Sequence, residues 1–139
     1  MAAAYLTSVL AANGRCRHRV ESGGTLGITG NPAAEAAIAV LDQACSVDLR
    51  PHRSRGLSRE AVEDADTILV MESSHRRYIR TLYPPHHTKV RLLSEFAPRA
   101  SGVPRGTDIF DPIGMDPEAF GRCFQIMRAC LDGFIATLD

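Results

Sequence analysis

The feature that most constrains the fold is residues 67–71, Thr-Ile-Leu-Val-Met, a largely apolar run near the middle of the chain. A strand with one solvated face alternates apolar and polar residues, so a run without alternation indicates a strand buried on both faces of a parallel sheet. A second strand is predicted at residues 89–93, and we expect it to pair with the first. A third strand is predicted at residues 19–22, which end in two glycines.

Helical patterns alternate with these strands. Ser58 is expected to cap the helix predicted at residues 58–65, and Ser73 or Ser74 to cap the helix predicted at residues 73–82. This alternation predicts an α/β protein with a parallel sheet, in which residues 1–139 form a single domain. Five helices are predicted, at residues 2–12, 32–44, 58–65, 73–82 and 118–138.

Charge and hydropathy exclude two classes of partner. The chain has 16 basic and 16 acidic side chains, and this zero net charge produces no long-range field to concentrate nucleic acid or anionic lipid. No apolar run approaches the roughly 20 residues of a membrane-spanning helix, and the first residues lack the charged start of a signal peptide. We expect a cytoplasmic protein with no nucleic-acid partner and no membrane partner.

The side chains that commonly bind metals follow no metal-binding spacing. The adjacent His86 and His87 follow two prolines and are expected in a solvated loop, and no phosphate-binding or dinucleotide-binding glycine motif is present. The sequence therefore predicts no metal and no cofactor. Four cysteines are expected to be reduced thiols that pack as small apolar groups: Cys16, Cys45, Cys123 and Cys130.

Two kinds of charged segment carry possible chemistry. Basic clusters at residues 15–19 and 50–55, and the arginines at 76, 77 and 80 of one helix, either hold phosphate or face solvent. In the segment 108–114, Asp111 precedes a proline, which holds its carboxylate beside a rigid turn. A proton donor needs such placement, although aspartate in such a loop is also a common turn or helix-entry residue.

Several segments, in order, resemble the low-molecular-weight protein tyrosine phosphatase family. They are residues 19–25, 30–32, 52–57 and 65–75, followed by Asp-Pro at 111–112 before the last amphipathic helix. The likeness covers nearly all 139 residues. It implies a flavodoxin-like three-layer α/β/α fold with strand order 2-1-3-4, and hydrolysis of phosphomonoesters through a cysteinyl-phosphate.

The C-x5-R-S signature of that family is absent. Six residues after the four cysteines stand Ser22, Pro51, Ala129 and Ala136, so no cysteine has an arginine at the required spacing. The family's loop supplies a thiolate nucleophile, an arginine that holds the phosphoryl group, and backbone N–H groups that bind the anion. We therefore expect an N-terminally incomplete domain that lacks the first strand and the nucleophile and is inactive alone.

The missing strand leads to two hypotheses about function. Either the chain is a phosphatase recorded from an internal methionine, or it is a pseudophosphatase that binds or regulates a partner. With the loop restored, the substrate would be a phosphorylated protein or a small phosphoester. The Asp-Pro-Ile-Gly form is similar to a bacterial branch that includes phosphoarginine phosphatases and arsenate-reductase-like proteins. Because the absent strand would lie beside residues 19–22, we expect that segment to stand apart or to rearrange.

The resemblance also implies roles for particular residues. Asp111 occupies the position of the proton donor, which protonates the leaving oxygen and later takes a proton from water. Ser22 and His52 occupy positions that hydrogen-bond toward the phosphate-binding loop. Where many members of the family carry aromatic residues that wall the cleft, this chain has Leu26, Ile28 and Ile113.

Overall fold

The computed structural model describes residues 1–138 as five α-helices and a two-stranded parallel sheet. In chain order the elements are α1 (Ala2–Ala12), α2 (Glu35–Cys45), α3 (Arg59–Asp64), β1 (Ile68–Val70), α4 (Ser73–Leu82), β2 (Val90–Leu92) and α5 (Pro117–Ile135). Short 3-10 helices lie at Pro84–Lys89, Leu93–Phe96 and Arg99–Ser101. Within residues 1–138 no helix is both long and apolar enough to cross a membrane.

The sheet consists of β1 and β2, in register from Ile68 opposite Val90 to Val70 opposite Leu92. The predicted pairing of these two strands is confirmed. Helix α4 makes the crossover between them and packs its buried Ile79 against the sheet. Alternate residues of this strand pack on opposite sides, Ile68 and Val70 against one apolar cluster and Leu69 and Met71 against the main core. The strand therefore contacts apolar side chains on both faces, as expected, although Val70 is buried and the other two residues of β1 are only half-buried.

The prediction of a strand at residues 19–22 was wrong. Within residues 1–138 this segment has no strand geometry, and no backbone hydrogen bond joins it to another segment. A strand exists only where a neighbour satisfies its N–H and C=O groups, and this segment has none. The segment thus stands apart from the sheet, one of the two arrangements expected. Pairing begins at Gly24, whose N–H donates to the Arg55 carbonyl over 2.9 Å.

The predicted start is confirmed for helix α3 and was wrong for helices α2 and α4. Ser58 caps α3 as predicted, since its hydroxyl accepts the Ala61 N–H over 3.1 Å. Helix α2 begins at Glu35 instead of residue 32, because Pro32 forms an isolated bridge with Arg53. Helix α4 has neither serine as its N-cap. The capping residue is Glu72, so that Ser73 is already inside the helix.

Helix α5 is the centre of the main hydrophobic core and packs against α1, α2 and the 3-10 helix Leu93–Phe96. Its Phe124 meets Tyr5 of α1 edge to face, with the ring centroids 5.6 Å apart. The Tyr5 hydroxyl donates to the Asp132 carboxylate over 2.7 Å. The residues of α5 that face this core include Cys123, Phe124, Met127, Cys130, Leu131 and Phe134.

Replacing Gly133 with alanine is expected to lower the free energy of unfolding by about 1–3 kcal/mol. A Cβ atom at this position would overlap the backbone carbonyl oxygen of Phe96, so α5 could not pack as closely against the 3-10 helix Leu93–Phe96. Gly121→Ala in the same helix is the matched control, because nothing lies within 4 Å of its Cβ position. Removing that helical glycine should stabilise the protein by up to about 1 kcal/mol. Urea unfolding followed by circular dichroism measures both values, and equal effects would contradict the close approach.

Candidate active site

A cavity of about 220 Å³ brings together residues from four parts of the chain. It lies between the first residue before α1, the segment that leads into α2, the loop that follows α2, and the loop that precedes α5. Its polar lining residues are Asn31, His52, Ser54 and Asp111. The other lining residues are Met1, Pro32, Ala33, Ala34, Ala37, Leu49, Pro112, Ile113 and Phe120.

The cavity unites three of the six residues that the sequence singled out, namely His52, Asp111 and Ile113. The structure places the other three outside its lining. Ser22 is exposed and, among the described residues, its hydroxyl makes no hydrogen bond. The exposed fraction is 85% for Leu26 and 50% for Ile28, so both side chains extend largely into solvent.

The loop that carries Asp111 is anchored at its first residue, Asp108. The Asp108 carboxylate accepts hydrogen bonds from the backbone N–H and the hydroxyl of Ser73, each over 2.7 Å. These bonds lower the pKa of Asp108, and the nearby His75 and Arg76 lower it further. The loop therefore starts at a fixed point, at the N-terminal end of α4.

Two further contacts hold the residues between this anchor and Asp111. The Ile109 N–H donates to the carbonyl of Met71 over 2.9 Å, just beyond β1. The Cys123 thiol of α5 donates to the Phe110 carbonyl over 3.3 Å. Burial raises the pKa of that thiol to about 11, and the negative charge of Asp111 also raises it. The negative charge of Asp111 is thus near enough to the buried Cys123 thiol of α5 to affect its pKa.

Asp111 is oriented by a local turn. One carboxylate oxygen, Oδ1, accepts the N–H of Ile113 over 3.0 Å, which closes an Asx turn around the buried Pro112. Among the described residues the second oxygen, Oδ2, has no hydrogen-bond partner. The exposed carboxylate therefore has one oxygen held in place and one available for proton transfer.

His52 brings an uncharged imidazole to the cavity. Its backbone N–H donates to the Leu49 carbonyl over 3.1 Å, and its ring makes no hydrogen bond within residues 1–138. Burial lowers the pKa of His52 from its usual 6.5, and the positive charges of the Met1 amino group, Arg55 and Arg53 lower it further. At neutral pH the ring is therefore uncharged and offers one donor and one acceptor.

Asn31 and Ser54 are polar residues of the cavity that the sequence analysis did not single out. They belong to two loops joined by backbone hydrogen bonds, with the Ser54 N–H donating to the Asn31 carbonyl over 2.8 Å. The Ser54 hydroxyl in turn accepts the Asn31 N–H over 3.0 Å. Gly56 lies where these loops cross, and a Cβ there would be 3.0 Å from the Gly27 Cα. Both loops belong to the segments that carry the resemblance. Their pairing joins residues distant in the chain, so the sequence alone did not indicate that Asn31 and Ser54 line the cavity together.

Comparison with known proteins decides the family. The family model for low molecular weight phosphotyrosine protein phosphatase matches residues 1–139. The chain belongs to this family. The resemblance inferred from the sequence is thus confirmed.

Within residues 1–138 no group of three histidine, cysteine, aspartate or glutamate side chains is placed to hold a metal ion.

Relatives of known structure share the fold of this phosphatase family. The low molecular weight protein tyrosine phosphatase from T. tengcongensis is 28% identical, with a TM-score of 0.87 over 99% of this chain and 88% of that one. Vibrio vulnificus Wzb in complex with benzylphosphonate is 26% identical, with a TM-score of 0.81 and the same two coverages. A relative found by sequence alone, the low molecular weight protein-tyrosine-phosphatase Ptp of Acinetobacter johnsonii, is 26% identical over 112 residues, 81% of this chain and 72% of that protein. The flavodoxin-like α/β fold expected from the sequence is confirmed.

The thiols of this phosphatase-family chain are expected to react in an order set by burial. Cys16 is exposed, whereas Cys123 and Cys130 are buried and burial raises the pKa of both thiols. At pH 8 a disulfide reagent should therefore modify Cys16 first and the two buried thiols only when the protein unfolds. Peptide mass spectrometry identifies the modified residue, and Cys16→Ser should remove the fast phase. Fast labelling of Cys123 in the folded chain would contradict its burial beneath the Asp111 loop.

Proposed function

We propose that this chain is a phosphatase domain that supplies the proton donor and part of the cleft for hydrolysis of phosphomonoesters. We further propose that residues 1–139 are inactive by themselves. The observation that carries the proposal is the shared cavity, where Asp111 and His52 lie beside the N-terminal end of α1. The N-terminus of a helix favours an anion such as phosphate, because its N–H groups are unpaired and its dipole is positive there.

The inactivity follows from the chemistry of phosphoryl transfer through a thiol. The reaction needs a thiolate nucleophile and donors that stabilise the charge on the transferring group. The C-x5-R-S sequence that supplies both in the family does not occur in residues 1–139. The cysteine nearest to Asp111 does not replace it, because the Cys123 thiol is buried and its pKa of about 11 keeps it protonated at neutral pH.

Asp111 is proposed to act first as an acid and then as a base. In the first step a thiolate attacks phosphorus, a sulfur–phosphorus bond forms, and the bond to the leaving oxygen breaks as Asp111 protonates that oxygen. In the second step the Asp111 carboxylate takes a proton from water while the water oxygen attacks phosphorus. The sulfur–phosphorus bond then breaks and releases phosphate. The oxygen of Asp111 that has no hydrogen-bond partner supports this role.

The proposed substrate is a phosphorylated protein side chain. The related Wzb structure contains benzylphosphonate, in which a single methylene group links the phosphonate to an aromatic ring. In this chain the cavity lining includes the exposed, aliphatic Ile113 and the buried Phe120, so the wall is apolar but presents little aromatic surface. Phosphotyrosine is the first candidate because the matching family is that of phosphotyrosine protein phosphatases, and phosphoarginine is the second. The four cysteines are free thiols, which supports a reducing compartment such as the cytoplasm.

The proposal predicts a gain of activity from a chimera and a loss from a single substitution. The unmodified chain should not hydrolyse p-nitrophenyl phosphate, whereas a chimera that places a relative's strand and C-x5-R-S loop before Met1 should. In that chimera Asp111→Asn should slow hydrolysis of aryl phosphates by roughly 10²–10⁴-fold, and most for the poorest leaving groups. The reason is that a poor leaving group depends most on receiving a proton as its bond breaks.

Glu118→Gln is the matched control, because it removes an exposed carboxylate near the same loop that has no partner among the described residues. It should leave the rate unchanged. An equal effect of Asp111→Asn on all leaving groups would remove Asp111 from the role of acid. A folded chimera that binds phosphate but stays inactive would favour a pseudophosphatase, in which the same cavity binds a partner without hydrolysis.

A further inference from the structure

A second depression, of about 390 Å³, lies along helix α4 on the surface. Its lining residues are Ser73, Arg76, Arg77, Arg80 and Thr81, which we call the α4 groove. They recur at intervals of three and four residues, so they form one face of the helix. The sequence left open whether these arginines face only solvent or bind an anion.

The positive charge of the α4 groove is only partly neutralised. Arg76 forms an ion pair with Glu95 over 3.1 Å. The hydrogen bond of Arg80 to the carbonyl oxygen of Val90, at 3.4 Å, carries no compensating charge. Arg77 has no acidic partner within residues 1–138. Two guanidinium groups of the groove are therefore available to a negatively charged ligand.

The groove begins where the candidate active site is anchored. Ser73 is both a lining residue of the groove and the residue whose N–H and hydroxyl bind the Asp108 carboxylate. Asp108 lies three residues before Asp111 in the same short loop. A ligand that lies in the groove is thus placed next to the loop that carries the proposed proton donor.

The length of the groove favours an extended peptide over a single anion. From Ser73 to Thr81 the helix rises by about 12 Å, at roughly 1.5 Å per residue. An extended peptide advances about 3.3 Å per residue, so three or four of its residues match this length. Nucleic acid is disfavoured, because the chain has zero net charge and therefore no long-range field for a polyanion.

We propose that the α4 groove binds acidic residues that flank the phosphorylated side chain of a protein substrate. Arg77 and Arg80 would contact the carboxylates, and the hydroxyl of Thr81 would donate to the peptide backbone. The assignment of the peptide to a substrate rests on the proposed function. The binding of an acidic peptide to the groove does not, because it needs neither a nucleophile nor turnover.

The test measures binding of a fluorescein-labelled nonapeptide by fluorescence anisotropy at low salt. The peptide carries an unphosphorylated tyrosine and four aspartate or glutamate residues, and its counterpart has asparagine or glutamine in their place. The double substitution Arg77→Gln and Arg80→Gln should weaken binding of the acidic peptide about fivefold, as expected for the loss of two exposed ion pairs. Arg99→Gln with Arg122→Gln changes the net charge equally outside the groove and should weaken binding by less than about twofold.

The proposal is overturned if both double variants weaken binding equally, or if the uncharged peptide binds as tightly as the acidic one. It is also overturned if a single-stranded oligonucleotide of the same charge binds at least as tightly as the peptide. Circular dichroism of each variant checks that it is folded, which is expected because Arg77 and Arg80 are exposed. An inactive chimera would contradict the proposed hydrolysis and leave this binding result unchanged, so the two failures are distinguishable.

Discussion

The hydrogen bonds from Ser73 to the Asp108 carboxylate join the two parts of the molecule on which the candidate site depends. The N–H of Ser73 is one of the donors that the first turn of a helix leaves unpaired, and here its acceptor comes from 35 residues further along the chain. A negative charge at this end of α4 is also favoured by the helix dipole. The same contact fixes the start of the loop that carries Asp111.

The other features of the site follow from this anchor. Strand β1 ends just before α4, and the Met71 carbonyl binds the Ile109 N–H, so the loop leaves the sheet in a defined direction. Helix α5 supports the loop from beneath through Cys123. Asp111 then faces the cavity that contains His52. The α4 groove starts at Ser73, so the proposed docking surface and the loop that carries the proposed proton donor share one attachment point.

The sequence predicted what depends on local periodicity and on the family pattern. The five helices and the pairing of β1 with β2 belong to this class, and three of the six residues singled out by the family pattern line the cavity, namely His52, Asp111 and Ile113. It could not predict contacts between distant segments, such as that of Asp108 with Ser73, because neither residue type specifies its partner. The strand expected at residues 19–22 failed for the same reason, since a strand is defined by a neighbour that its own residues do not encode.

The central claim is that Asp108 holds both the start of α4 and the Asp111 loop, and amide hydrogen exchange of an Asp108→Ala variant tests it most directly. The amides of Ser73, Ile109 and Ile113 should exchange faster than in the unmodified chain, because the loop loses its anchor. The amides that pair β1 with β2 serve as the internal reference and should be unchanged. Faster exchange at Ser73 alone, with Ile109 and Ile113 as in the unmodified chain, would contradict the account.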